Sequence, residues 1–343
     1  LRRRNHDFEV VVKQSDDGIL YASRSGGQFA GAKWRDSRER RQKDWAKPGA
    51  GEEKMARARN SCLRTNDRLN HNACVEMQVA DFQRNDCRDL ASLQASGWIG
   101  LEAAYTYYLD NSFCIARKIY DGARILAVGA AVLWPESAWL GHILVAVDQR
   151  RRGLGAAITR DLLSQAERRG ITKFRLSASA LGAPLYESLG FVARDRYLFF
   201  SPCRPCTSPV KLAIKTLSPA AIESARSLDF AASGDHRSAV LCGNVTRPKG
   251  VFDRSGHLRG FYQPGLFEGP VIARDSEAGL ALLRYKHRIA QQRAVVPAGN
   301  ESAVEFLKTI SDGARGEQIY MTLGDAPERR PEHIFSRAAG FLG

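Results

Sequence analysis

The 343-residue chain predicts an α/β protein, a mixed central sheet with flanking helices, arranged as two consecutive domains. Three observations carry that prediction. A strand apolar on both faces, 138–147, runs through a basic, glycine-containing turn into an amphipathic helix, the order expected where strands and helices alternate. A proline- and cysteine-containing stretch at 202–209 interrupts the periodic segments. Beyond it, strand and helix patterns recur at similar spacing: Val145 to Val271 is 126 residues, and Tyr197 to Tyr320 is 123.

Composition excludes several classes. Hydrophobic residues make up 44% and charged residues 26%, a globular balance. The longest strongly apolar run, 125–134, is about half of the roughly 20 residues that cross a bilayer, so no membrane span is expected. Leu1-Arg2-Arg3-Arg4 has no apolar core behind it, and Asp7, Glu9, Asp16 and Asp17 argue against a transit peptide. The seven cysteines are odd in number and scattered, which suits free thiols in a reducing, cytoplasmic setting.

The net charge of +14 is unevenly spread. Residues 1–72 hold 17 Lys and Arg against 10 Asp and Glu, half of the excess, with weak periodicity and much Gly, Ser and Asn. This stretch reads as a poorly ordered, solvated extension, in preference to a basic arm that grips nucleic-acid phosphates. The expected organisation is therefore an extension over 1–72, a first domain over 73–201, a linker over 202–209 and a second domain over 210–343.

In the first domain, 75–80 alternates like a strand, and 86–97 carries Cys87, Leu90, Ala91 and Leu93 at helical spacing. A helix follows over 99–109. Strands at 113–119 and 125–133 are joined by the turn at Asp121-Gly122. After the buried strand 138–147 comes Asp148-Gln149-Arg150-Arg151-Arg152-Gly153-Leu154-Gly155-Ala156. Leu154, Ile158, Leu162 and Ala166 then mark one face of a helix that Gly170 stops. Such a turn gathers free backbone N–H groups, the positive end of a helix dipole and three arginines, which is chemistry for a pyrophosphate. A Walker loop and a dinucleotide fingerprint both fail the spacing. A strand over 173–177, a short helix from Pro184 and a strand over 196–200 complete the domain.

The spacing R-x-x-G-x-G at 150–155, followed by Pro184-Leu185-Tyr186-Glu187-Ser188-Leu189-Gly190-Phe191, resembles the GNAT superfamily of N-acetyltransferases over residues 75–200. Val147 departs from the proline common three residues before the loop arginine. The resemblance implies two tandem GNAT-like acyl-CoA N-acyltransferase domains. It implies that acetyl-CoA lies along Leu144, Val145 and Val147, with its pyrophosphate on Arg150, Arg151, Arg152, Gly153, Leu154, Gly155 and Ala156. A backbone N–H at a strand bulge would polarise the thioester carbonyl while an amine attacks directly. Tyr186 would protonate the departing thiolate, or else simply pack its short helix. The general base stays open among Glu102, His142, Glu136, Asp110 and water.

Cys203-Arg204-Pro205-Cys206 lacks a second CxxC or a histidine pair, so no metal is expected there. Past the linker, strands are predicted at 210–217, 259–262, 269–273, 294–296 and 319–323, and helices at 219–228, 276–292 and 302–310. Arg274-Asp275-Ser276-Glu277 puts two carboxylates where a pyrophosphate would sit, which would repel it. This half resembles the degenerate second domain of some bacterial GNAT proteins, which implies one CoA site per chain. Asp229, Asp235, His236, Arg237 and Glu268 are its candidate substrate contacts. The expected function is acetyl transfer from acetyl-CoA to a primary amine. The alternatives are a nucleic-acid-associated protein modifier and a non-catalytic acyl-CoA sensor.

Overall fold

The computed structural model describes residues 10–14, 20–24, 77–93, 100–201, 203–241, 248–289, 293–325 and 328–343. Within the basic extension these are strands β1 (Val10–Gln14) and β2 (Leu20–Arg24), paired antiparallel. The poor order expected over 1–72 otherwise lies outside the described residues.

The first half runs β3 (Gln78–Asp81), a 3-10 helix (Arg84–Ser92), α1 (Leu101–Asp110), β4 (Cys114–Asp121), β5 (Arg124–Leu133), β6 (Ser137–Val145), a 3-10 turn (Val147–Gln149), α2 (Leu154–Glu167), β7 (Lys173–Ala178), α3 (Ala183–Glu187) and β8 (Val192–Phe200). The second runs β9 (Ile214–Thr216), α4 (Pro219–Ser233), β10 (Lys249–Phe252), β11 (Leu258–Tyr262), β12 (Val271–Ala273), α5 (Ser276–Ile289), β13 (Ala294–Pro297), α6 (Glu301–Ile310), β14 (Ala314–Leu323) and β15 (Ile334–Ser336).

Local chemistry accounts for these elements. β4 alternates half-buried and buried residues, and Gly122 takes the positive φ of 55° that the hairpin turn needs. β5 is buried on both faces from Ile125 to Val132 because α1 and α2 cover opposite sides of it. Leu154, Ile158, Leu162 and Ala166 are the buried stripe of α2. The stretch expected as a helix from 86 is a 3-10 helix over its described part: Cys87, Leu90 and Leu93 are buried at a spacing of three, which matches three residues per turn. The strand expected to reach Val147 ends at Val145, since Ala146 turns the chain into the 3-10 segment. β10 and β15, four and three residues long, give no alternation long enough to read in the sequence.

The sheet topology ties the halves together. One eight-stranded sheet has the order β13-β8-β14-β7-β6-β5-β4-β3, and a five-stranded sheet has the order β15-β12-β11-β10-β9. β8 pairs with β13 and β14 of the second half, whereas β14 pairs with β7 and β8 of the first. β8 is thus lodged beside β13 and β14 beside β7, and the two exchanged strands pair antiparallel, Asp195 opposite Tyr320 and Tyr197 opposite Gln318. Buried ion pairs reinforce the junction. Asp235 of the second half accepts from Ser137, from Trp139 Nε1 at 3.1 Å and from Arg175, all of the first.

Candidate functional site

β6 and β7 are parallel and pair from Ser137 opposite Lys173 to Leu140 opposite Leu176. β6 then continues to Val145 and β7 to Ala178 without further pairing to each other. The strands part into a V with Gly141 and Ser177 at its apex. On the other edge of β6, Val128 pairs with Leu144 but Ala130 pairs with Gly141, so β6 has an extra residue there. This is a bulge, and His142 within it has a φ of 49°. Leu140 packs on the α2 side of the sheet and Leu144 on the α1 side, with Gly141 and His142 both turned toward α1. A β-carbon on Gly141 would collide with Phe341, so glycine is required where residues 338–343 cross this face.

His142 is held on several sides. Tyr108 Oη lies 2.6 Å from its Nδ1, Tyr105 Oη donates to its carbonyl at 3.1 Å, and Phe341 stands 5.0 Å away between ring centres. Burial lowers its imidazole to about 4, which keeps the ring neutral at neutral pH.

The mouth of the V is the turn into α2. Arg150, Arg151 and Arg152 are exposed, Arg151 with a φ of 62°, and Val147 is 69% exposed at its start. Gly153 has a φ of 80° and no side chain caps the helix. The first helical bond runs from Ala157 N–H to Gly153 C=O, 2.9 Å, which leaves the N–H groups of Leu154, Gly155 and Ala156 ahead of it. The nearby carboxylate, Asp148, is drawn away to Arg124 at 2.7 Å. Leu154 buries its side chain against Ile158 and Leu126, so only its backbone faces the turn.

α3, which carries Tyr186, packs beside the same region. Leu185 lies 3.0 Å from where a Gly155 β-carbon would be, which brings α3 against the first turn of α2. The Tyr186 ring packs edge-on to Phe191 and is 9% exposed, and burial pushes its phenol up to about 12. Among the other candidates, Glu136 lies at the far end of β6, paired with Lys173 at 3.2 Å, and Asp110 pairs with Arg84. Glu102 is exposed on α1.

The equivalent crossing of the second half, from β12 into α5, is closed. Asp275 caps α5 by accepting from Ala278 N–H at 2.9 Å, and Arg259 holds Asp275 at 2.8 Å and Glu277 at 2.7 Å. Burial alone would raise the Asp275 carboxyl, but Arg259 and the helix N–H groups outweigh it and lower its pKa. Between β12 and β13 lies β15, laddered to β12 and followed by Arg337, whose N–H donates to Val295 of β13 at 3.0 Å.

Residues 112–201 and 225–336 each match a family model described as an acetyltransferase (GNAT) domain, together more than half of the chain. The chain belongs to the GNAT acetyltransferase family. It is a tandem GNAT protein, with one domain match in each half. Solved structures agree on the fold. A Pyrococcus horikoshii protein described as a candidate acetyltransferase superposes with a TM-score of 0.66 over 82% of this chain and 100% of its own, at 19% identity. A GCN5-related N-acetyltransferase from Sphaerobacter thermophilus gives 0.51 over 78% and 98%, at 12% identity. A tandem GNAT protein from the clavulanic acid biosynthesis pathway gives 0.50 over 74% and 100%, at 13% identity. No curated protein sequence matches the chain.

Against the GNAT frame, the second-half candidates fall outside the V. Asp229 and Arg237 pair with each other in the interior, and Glu268 is held by Arg293 at 2.6 Å and Arg337 at 2.7 Å. His236 stacks on Phe230, 4.1 Å between centres. Cys203 and Cys206 are buried free thiols, and no group of three or more His, Cys, Asp or Glu among the described residues could hold a metal. No helix among them is long and apolar enough to cross a membrane. The resemblance implied a strand bulge but did not place it at Gly141-His142, and sequence reasoning missed the apex residue Ser177. A glycine inside an apolar strand is the signal that marks the bulge; Ser177 has none, because its position depends on where two strands separate.

Proposed function

We propose that the first half transfers an acetyl group from acetyl-CoA to a primary amine. The observation that carries this reading is the V between β6 and β7 with an uncapped, arginine-rich helix start at its mouth. Acetyl-CoA would enter through that mouth. Arg150, Arg151, Arg152 and the N–H groups of Gly153, Leu154, Gly155 and Ala156 would take the pyrophosphate, and Leu144, Val145 and Val147 would line the pantetheine arm.

The thioester would then lie near the bulge, where a backbone N–H can stabilise the oxyanion as the amine forms its bond to carbon. The C–S bond breaks, the electron pair goes to sulfur, and Tyr186 supplies the proton. Burial pushes its phenol up to about 12, so the hydroxyl is protonated at neutral pH and available to hydrogen-bond the departing sulfur, although the same shift makes it a weaker acid. His142, neutral and engaged by Tyr108, is a weak base, so water takes the proton from nitrogen. The free thiols support a reducing, cytoplasmic setting.

The test is calorimetry with acetyl-CoA followed by a turnover screen on small amines, aminoglycosides, peptide N-termini and lysine peptides. One acetyl-CoA bound per chain and turnover of at least one amine are expected. Binding without turnover of any of them would leave a sensor in place of an enzyme.

A further inference from the structure

The apex of the V carries one polar group that the reaction above does not use. Ser177 is the first β7 residue beyond the last pair with β6. It alternates with Phe174, Leu176 and Ala178, which face α2, so its side chain stands on the opposite face, toward α1. Its ladder neighbour on that face is Tyr320, and Tyr320 in turn is opposite Asp195. Ser177 is half-buried as a residue, yet its Oγ is shielded from solvent and has no hydrogen-bond partner. Among the described residues it is the only hydroxyl in that condition. A shielded hydroxyl without a partner costs stability.

We propose that Ser177 is a positioning residue that accepts a hydrogen bond from the attacking amine, an inference that rests on the acyltransferase reading. An amine with its lone pair aimed at the thioester carbon must place its N–H bonds elsewhere. On the α1 face of the apex, the His142 carbonyl already accepts from Tyr105 and the His142 Nδ1 is engaged by Tyr108. The Ser177 Oγ keeps its lone pairs. It orients the nitrogen, keeps its own proton throughout, and takes no part in the bond changes: C–N forms, C–S breaks, the thiolate gains a proton and the nitrogen loses one to water.

The test needs no knowledge of the natural acceptor, since hydroxylamine is a small nucleophile that is neutral at pH 7. In the full-length protein, formation of acetohydroxamate from acetyl-CoA above the uncatalysed rate would be measured for the wild type, Ser177→Ala and Ser177→Thr, with acetyl-CoA affinity and Tm alongside. Ser177→Ala is expected to lower kcat/KM for hydroxylamine by about tenfold, the worth of one hydrogen bond. It should leave acetyl-CoA affinity unchanged and leave Tm unchanged or raised, because an unpartnered hydroxyl is removed. Ser177→Thr should restore most of the rate. Equal turnover by wild type and Ser177→Ala would overturn the role of Ser177 alone, and so would a rate loss that only tracks a fall in Tm. Acetyl-CoA bound by the wild type with no transfer to hydroxylamine would overturn the acyltransferase reading, and this role with it.

Discussion

In the first half, β6 leaves β7 after Leu140, and the turn into α2 brings arginines but no capping carboxylate, Asp148 being held by Arg124. In the second half, the corresponding gap between β12 and β13 holds β15, and the start of α5 is capped by Asp275 with Arg259 behind it. Every helix start needs partners for its leading N–H groups, and every separated pair of strands exposes backbone that wants pairing. The second half meets both needs from its own chain. The first half has neither a capping side chain at α2 nor a strand inserted between β6 and β7, and that difference, more than the loss of a glycine loop, is why one ligand site per chain is proposed.

The largest effect is expected from cutting the molecule. A fragment of residues 73–201 lacks β14, which lies between β7 and β8, and loses the buried Tyr320, Met321 and Phe341. It should show no cooperative thermal transition by circular dichroism. A cooperative melt with acetyl-CoA binding would mean that the first half is complete without the second. Next in size is Tyr186→Phe. Removing the proton donor while keeping the ring should lower turnover by roughly 10²- to 10⁴-fold with little change in acetyl-CoA affinity. If the ring only packs, Phe is silent, and Tyr186→Ala instead costs about 3 kcal/mol or more in a urea titration.

Charge at the two helix starts should respond in opposite ways. Replacing Arg150, Arg151 and Arg152 together by Ala should weaken acetyl-CoA binding by about 100-fold, since each charge-assisted bond is worth about 1.5–3 kcal/mol before screening by solvent. Asp275→Ala with Glu277→Ala should leave the calorimetric stoichiometry at one per chain and cost about 1 kcal/mol through the lost cap. A stoichiometry of two would show that β15 can be displaced.

The glycines sharpen the same contrast. A side chain at Gly155 would press on Leu185, so Gly155→Val confounds packing with ligand approach. Gly153 has open space around it, and Gly153→Ala should cost only about 1 kcal/mol for its positive φ, leaving any larger loss of acetyl-CoA affinity to be read as blocked approach. A separate effect concerns pH. The His142 imidazole, at about 4, lies below its ordinary 6.5, so the unfolded chain takes up the proton first and stability declines as pH falls from about 6.5 toward 4. His142→Asn, which cannot titrate in this range and tolerates the positive φ, should make that decline shallower in urea melts compared at pH 7 and pH 5.

What the sequence discloses about this protein is what neighbouring residues decide among themselves. The strand, turn and helix from Ser137 to Glu167 are local, and so are the Asp121-Gly122 hairpin and the carboxylates ahead of α5. The bulge was half-legible, through Gly141. The place of β14 was not, because pairing with β7 and β8 is settled by contacts more than a hundred residues away, and an alternating segment looks the same in either sheet. Ser177 stayed invisible for the same reason. Asp235 and Glu268 read as candidate substrate contacts, yet they are paired inside the fold with Arg175 and Arg337, because a single sequence gives a charged residue no sign of what encloses it.

The exchange of β8 and β14 between the two halves has a consequence during synthesis. β7 is finished at Ala178, but β14, its antiparallel partner, ends at Leu323, so until that strand has been made the first half carries a bare sheet edge. The nascent chain is exposed to wrong pairing for the whole of that interval, and a premature stop before Ala314 would leave the first sheet open however well its own codons had been read.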